Sequence, residues 1–188
     1  MDLLISRGIR NSLSGIKVII NEVKMKSVKK VLYLHGLDGS LSDAKKEVLE
    51  RYFMVISPQL DYRDTANLFE QLSQQVDNEK PNTIIGNSMG GCFAYYLSMK
   101  HNLPALCFNP ALGYRSININ LPELKSVNNP IVFIIGGKDT VVPAVKNFTW
   151  ICQNPNHNFV LKWYNQMEHR IDIETFAREV EAFSKMTN

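Results

Sequence analysis

An α/β architecture is what this sequence predicts: a three-layer α/β/α sandwich around a mostly parallel sheet of about six strands. Three observations carry that prediction. From Val31 onward, short apolar runs alternate with segments whose apolar residues recur every three or four positions, the rhythm of doubly buried strands joined by crossover helices. Turn-forming residues close nearly every apolar run, as at His35-Gly36, Ser57-Pro58 and Gly136-Gly137, so the runs are short enough to be strands. The chain has 188 residues, of which 45% are hydrophobic and 21% charged, which suits one globular core and excludes disordered, collagenous and coiled-coil classes.

The first strong strand is expected at residues 31–34. Ser40 or Ser42 is expected to cap the next helix, residues 40–43 resembling a capping box, with Leu41, Ala44, Val48 and Tyr52 as its apolar stripe. Residues 53–56 form the second strand. Asp64 is expected to cap a helix with the stripe Leu68, Phe69, Leu72 and Val76. The third strand is residues 83–85, followed by a mostly apolar helix over residues 89–101. Strands at 105–108 and 131–135 follow, and Pro143 opens a helix that runs to about Cys152. The last strand, 159–163, leads into a C-terminal helix with the stripe Ile173, Phe176, Ala177, Val180 and Phe183. Strands alternating with helices in this way run parallel through right-handed crossovers.

Two segments stand outside the rhythm. Residues 1–24, in which Ile16 to Ile20 has the pattern of a short strand, are expected to be peripheral to the fold or upstream of the initiation site. Met25 begins a second plausible start, and residues 25–188 form the domain. Asp2, Arg7 and the absence of a small-residue cleavage site argue against a signal peptide. Residues 109–129 hold Pro110, Gly113 and Pro122 without a clear period and are expected to form a small lid or excursion over the site.

Composition narrows the function. Lys and Arg number 21 against 18 Asp and Glu, a net charge of +3, too small and scattered for a nucleic-acid binder. No apolar run reaches the roughly 18 residues of a membrane span. The cysteines are Cys92, Cys107 and Cys152, a set without disulfide or zinc spacing that fits a reduced, cytoplasmic chain. No metal or cofactor is implied.

The sharpest motif is Gly86-Asn87-Ser88-Met89-Gly90, directly after a strand and at the head of a helix. A serine there sits on a tight turn with its hydroxyl above the sheet, beside the free N–H groups of a helix N-terminus. The alternative reading is a tight turn with an inert serine. Serine needs a base, and the base needs an orienting carboxylate. His169 and Asp139 both follow later strands and so share the carboxyl edge with Ser88. Read singly, Asp139 is a turn former and His169 a solvated loop residue; in the order Ser, Asp, His they read as a triad. Glu168 and Asp172 are rival acids but lie too close to His169 in sequence. The oxyanion donors are expected to be the N–H groups of Met89 and Leu37, with His35 holding the Leu37 loop rather than acting as base. Leu112, Tyr114 and Val142, with Leu37 and Met89, are expected either to line an apolar acyl pocket or simply to pack in the core.

These motifs resemble the α/β-hydrolase superfamily over residue 31 to the C-terminus: His35-Gly36 for the oxyanion loop, residues 86–90 for the elbow, 137–143 for the acid loop, and His169 for the base. Within it, Tyr33-Leu34-His35-Gly36 and Asn109-Pro110-Ala111 are similar to the compact YqiA-like esterases. That resemblance implies loss of the first two antiparallel strands of the full fold and an esterase or thioesterase activity, so the expected partner is a small-molecule acyl ester or thioester substrate. Asn87 departs from the Ser or His more usual there, and no glycine immediately precedes His169. A non-catalytic binding module on the same fold, and a carbon–carbon hydrolase or cofactor-free haloperoxidase with the same triad, are the competing readings.

Overall fold

A computed structural model describes residues 28–63, 67–117, 119–122, 127–154 and 157–187. The strands are β1 (Lys30–Leu34), β2 (Met54–Ile56), β3 (Thr83–Asn87), β4 (Ala105–Phe108), β5 (Val127–Gly136) and β6 (His157–Tyr164). The helices are α1 (Asp43–Glu50), α2 (Leu68–Glu79), α3 (Met89–His101), α4 (Ala144–Gln153) and α5 (Ile173–Met186). The strands form one six-stranded sheet in the order β2-β1-β3-β4-β5-β6, and every pairing is parallel.

The period of two along each strand divides the core. Leu32, Leu34, Ile84, Cys107, Phe133 and Ile135 face one way, into a cluster with α2 and α3. Val31, Tyr33, Ile85, Leu106, Phe108 and Ile134 face the other, against α1 and α5. Helix α3 is buried from Met89 to Met99, as expected of a helix that is apolar all round. The strand order reverses direction between β1 and β3. Loops leaving their carboxyl ends therefore open a crevice, the usual ligand position in a doubly wound sheet.

Several local expectations differ from the structure. Ser42 stands at the N-cap of α1, but its side chain makes no capping hydrogen bond. Ala44 is exposed, and the buried face of α1 is Val48 and Leu49. Ile173 is 41% exposed, because α5 enters the core only from Thr175 and Phe176 onward. Pro143 precedes α4 as its cap residue instead of lying in the first turn. Residues 1–24, with the short strand read at Ile16 to Ile20, Met25, the cap expected at Asp64, and parts of the 109–129 excursion lie outside the described residues.

Candidate active site

Ser88 joins β3 to α3 with φ 55° and ψ −118°, a conformation that non-glycine residues adopt only under constraint. The constraint is visible on all sides. The Ser88 N–H donates to Phe108 O, and Ser88 O accepts from the N–H groups of Cys92 and Ala111. Gly90 lies so close to β1 that a Cβ there would fall 2.1 Å from Leu34 O and 2.3 Å from His35 O. A Cβ on Gly86 would stand 2.2 Å from Gly90 O. Both glycines are thus set by close backbone approach.

His169 meets Ser88 from the loop after β6, its Nε2 3.0 Å from Ser88 Oγ. On the other side its Nδ1 lies 2.7 Å from Asp139 Oδ2. Asp139 is held in turn, because its Oδ1 accepts from the N–H groups of Val141 and Val142, each at 2.9 Å. A carboxylate accepting at Nδ1 fixes the tautomer, leaving Nε2 free to receive the serine proton. The structure therefore brings Ser88, His169 and Asp139 into one hydrogen-bonded line. Glu168 makes no such contact, and Asp172 instead caps α5 by accepting from Thr175 N–H at 2.7 Å.

The acid and base loops are laced together. Gly137 N–H donates to Tyr164 O and Lys138 N–H to Met167 O. Asn109, 1% exposed, adds the central tie: its Nδ2 donates to Glu168 O at 3.0 Å and His169 O at 3.1 Å, while its Oδ1 accepts from Gly136 N–H at 2.7 Å. One amide thus links the ends of β4 and β5 to the histidine loop. The sequence marked Asn109 only as part of Asn-Pro-Ala; its positive φ of 40° is a property asparagine tolerates.

Leu37 follows β1 in a turn closed by Gly39 N–H donating to Gly36 O at 3.1 Å. Asp38, third in that turn, has φ 55°, as a type II turn requires. His35 anchors the loop from below: its Nε2 accepts from Leu60 N–H at 2.9 Å and its Nδ1 donates to Gly36 O at 2.7 Å. Met89 is the first residue of α3, so its N–H has no partner within the helix. Leu37 and Met89 both line the cavity that contains Ser88 and His169.

That cavity, about 590 Å³, also includes Tyr114 and Val142. Leu112 is a correction: it is 2% exposed and packed in the core, turned away from the cavity that its neighbours Ala111 and Tyr114 line. The character of the cavity is mixed. The apolar Leu37, Met89, Tyr114 and Val142 share it with Asp38, Lys45, Arg115 and Arg170. Lys45 had a readable signal, since it lies on the same helical face as Leu41, Val48 and Leu49, where a cation is out of place. Arg115 and Arg170 had none beyond their places in the excursion and beside His169.

A second serine–histidine–carboxylate set exists on the surface layer. Ser73 Oγ is 2.8 Å from His101 Nε2, and His101 Nδ1 is 3.4 Å from Asp77 Oδ1. Ser73 is 3% exposed and lies inside α2, where the backbone N–H groups are taken by the helix and none is left for an oxyanion.

Residues 30–129 match the family described as uncharacterised protein family UPF0227. Among solved structures, the chain is similar to a Bacillus cereus carboxylesterase, with a TM-score of 0.61 and 18% identity over 85% of this chain and 89% of that one. It is also similar to Arabidopsis thaliana SOBER1, with a TM-score of 0.68 and 15% identity over 86% and 99% of the two chains. A Xanthomonas campestris protein assigned to the α/β superfamily gives a TM-score of 0.60 and 19% identity over 84% and 97%. These likenesses show the fold, a compact α/β-hydrolase.

Proposed function

This chain belongs to the UPF0227 family, a YqiA-like group within the α/β-hydrolase superfamily, and from that premise we propose that it is a serine hydrolase of carboxylic esters or thioesters. The observation that carries the reading is the unbroken line from Ser88 Oγ through His169 to Asp139, at 3.0 and 2.7 Å. Ser88 attacks the acyl carbon as His169 Nε2 takes the hydroxyl proton, and Asp139 stabilises the imidazolium that results. The Leu37 and Met89 N–H groups receive the oxyanion; one such donor is worth about 2.7–4 kcal/mol of barrier. His169 passes its proton to the departing alcohol or thiol. It then deprotonates the water that attacks the acyl-serine, releasing the free acid. The free thiols, two of them buried, support a reducing, cytoplasmic setting.

A fluorophosphonate probe tests the reading against an inert binding module. An activated Ser88 is labelled, and Ser88→Ala removes both the label and the hydrolysis of a p-nitrophenyl short-chain ester. Turnover that survives Ser88→Ala refutes the assignment.

A further inference from the structure

Three cations surround the Ser88 cavity, and the acyl-transfer chemistry has no use for them. Lys45 comes from α1, Arg115 from the segment after β4 and Arg170 from the loop after β6. Among the described residues, the one acidic side chain that lines the cavity is Asp38, and it is already paired with Arg63 at 2.7 Å. Among the described residues, none of the three cations has a carboxylate within salt-bridge distance. Arg115 donates to the carbonyls of Ala111 and Leu112 at 3.3 and 3.4 Å and to Cys92 Sγ at 3.7 Å, which orients the guanidinium without neutralising it. Lys45 is half-buried with its Nζ 5.1 Å from the Phe176 ring centroid, and burial holds its ammonium below the ordinary lysine range. Desolvating an unpaired cation is costly. Lys45 and Arg115 are partly buried and Arg170 is exposed, and the three, from three segments, line one cavity with no carboxylate of their own.

We propose that the cavity binds esters or thioesters that carry an anionic group, a carboxylate or a phosphate, which Lys45, Arg115 and Arg170 hold while Ser88 attacks. The proposal rests on the serine-hydrolase reading and deepens it. Arginine suits such groups by offering paired donors, and a cavity lined by one sign of charge concentrates the ligand of the other sign.

The test compares matched esters that differ in one charge. Mono-4-nitrophenyl adipate against its methyl ester places the anion on the acyl side. 4-Acetoxybenzoate against its methyl ester, with 4-acetoxyphenyl phosphate as a third member, places it on the alcohol side and separates carboxylate from phosphate. The wild type is expected to favour the anionic member of at least one set by about tenfold in kcat/KM. Lys45→Met and Arg170→Gln are expected to bring that ratio most of the way to one. Raising salt from about 0.01 to 1 M, which shortens the Debye length from about 30 to 3 Å, is expected to act in the same direction. Both members are assayed on one preparation, so any loss of folded protein cancels from the ratio.

If wild-type protein treats both members alike, or if the substitutions slow both equally, the proposal is overturned. Equal slowing leaves the wild-type ratio in place and shows that these cations do not hold the anionic group. Ser88 labelling separates the two levels: a labelled enzyme indifferent to charge sinks this inference alone, whereas an unlabelled, inactive protein sinks the hydrolase reading and the inference with it.

Discussion

Replacing Gly90 by Ala tests whether the serine turn depends on backbone contact between α3 and β1. The added Cβ would lie 2.1 Å from Leu34 O and 2.3 Å from His35 O, and relief to even 3.0 Å demands a retreat of about 0.9 Å. Both obstacles are main-chain carbonyls, so no rotamer change can clear them. Leu34 also pairs with Gly86 across the β1–β3 ladder. Pushing β1 away therefore strains the strand that carries Ser88, and moving α3 instead displaces Met89 N–H. Overpacking of this kind costs about 1–3 kcal/mol of stability, occasionally more. A 1 Å misplacement of reacting groups costs on the order of 10² in rate, equivalent to about 2.7 kcal/mol of barrier. Gly90→Ala is thus expected to lower the denaturant midpoint and to cut kcat/KM for a p-nitrophenyl ester about a hundredfold in the protein that remains folded. Wild-type kcat/KM in a folded Gly90→Ala protein would refute the idea that this contact positions the oxyanion donors.

Asn109→Ala leaves Gly136 N–H and two carbonyls unpaired; we expect a loss of about 1–3 kcal/mol of stability and a fall in kcat with KM little changed, checked by steady-state kinetics beside chemical unfolding. Asp172→Ala removes the α5 cap and is expected to cost about 1 kcal/mol at neutral pH. The Thr175 N–H holds the Asp172 carboxyl below the ordinary carboxylate range. The cap's contribution is therefore complete above about pH 4 and fades as pH drops through the depressed folded value, so the wild-type and variant stabilities converge in acid. Ser73→Ala, which breaks the second serine–histidine pair, is expected to leave ester hydrolysis intact; a large loss would show that the Ser73–His101–Asp77 set takes part.

The sequence carried the sheet because each of its strands is a short apolar run with a hard stop, and parallel topology follows from the alternation. The juxtaposition of Ser88, Asp139 and His169 was legible for the same reason: each follows a strand, and all carboxyl ends of a parallel sheet share one edge. What escaped reading depended on three-dimensional closure. The role of Asn109 consists of bonds to Gly136, Glu168 and His169, residues remote in sequence. Leu112 looked like pocket lining because it is apolar and beside Tyr114, but a turn of one residue sends it into the core. Ser42 takes the same extended backbone as the capping Asp172 (φ −71°, ψ 153° against −65°, 156°), yet its side chain makes no cap bond, a difference that residue identity alone does not encode.

The three polar groups of the site hang from β3, β5 and β6, and β6 is both the outermost strand on its side and the last to be synthesised. While the ribosome is still delivering the C-terminal portion, Ser88 already exists but lacks any partner to draw off its proton. On the serine-hydrolase reading, a chain cut short before β6 would carry Ser88 with no base beside it.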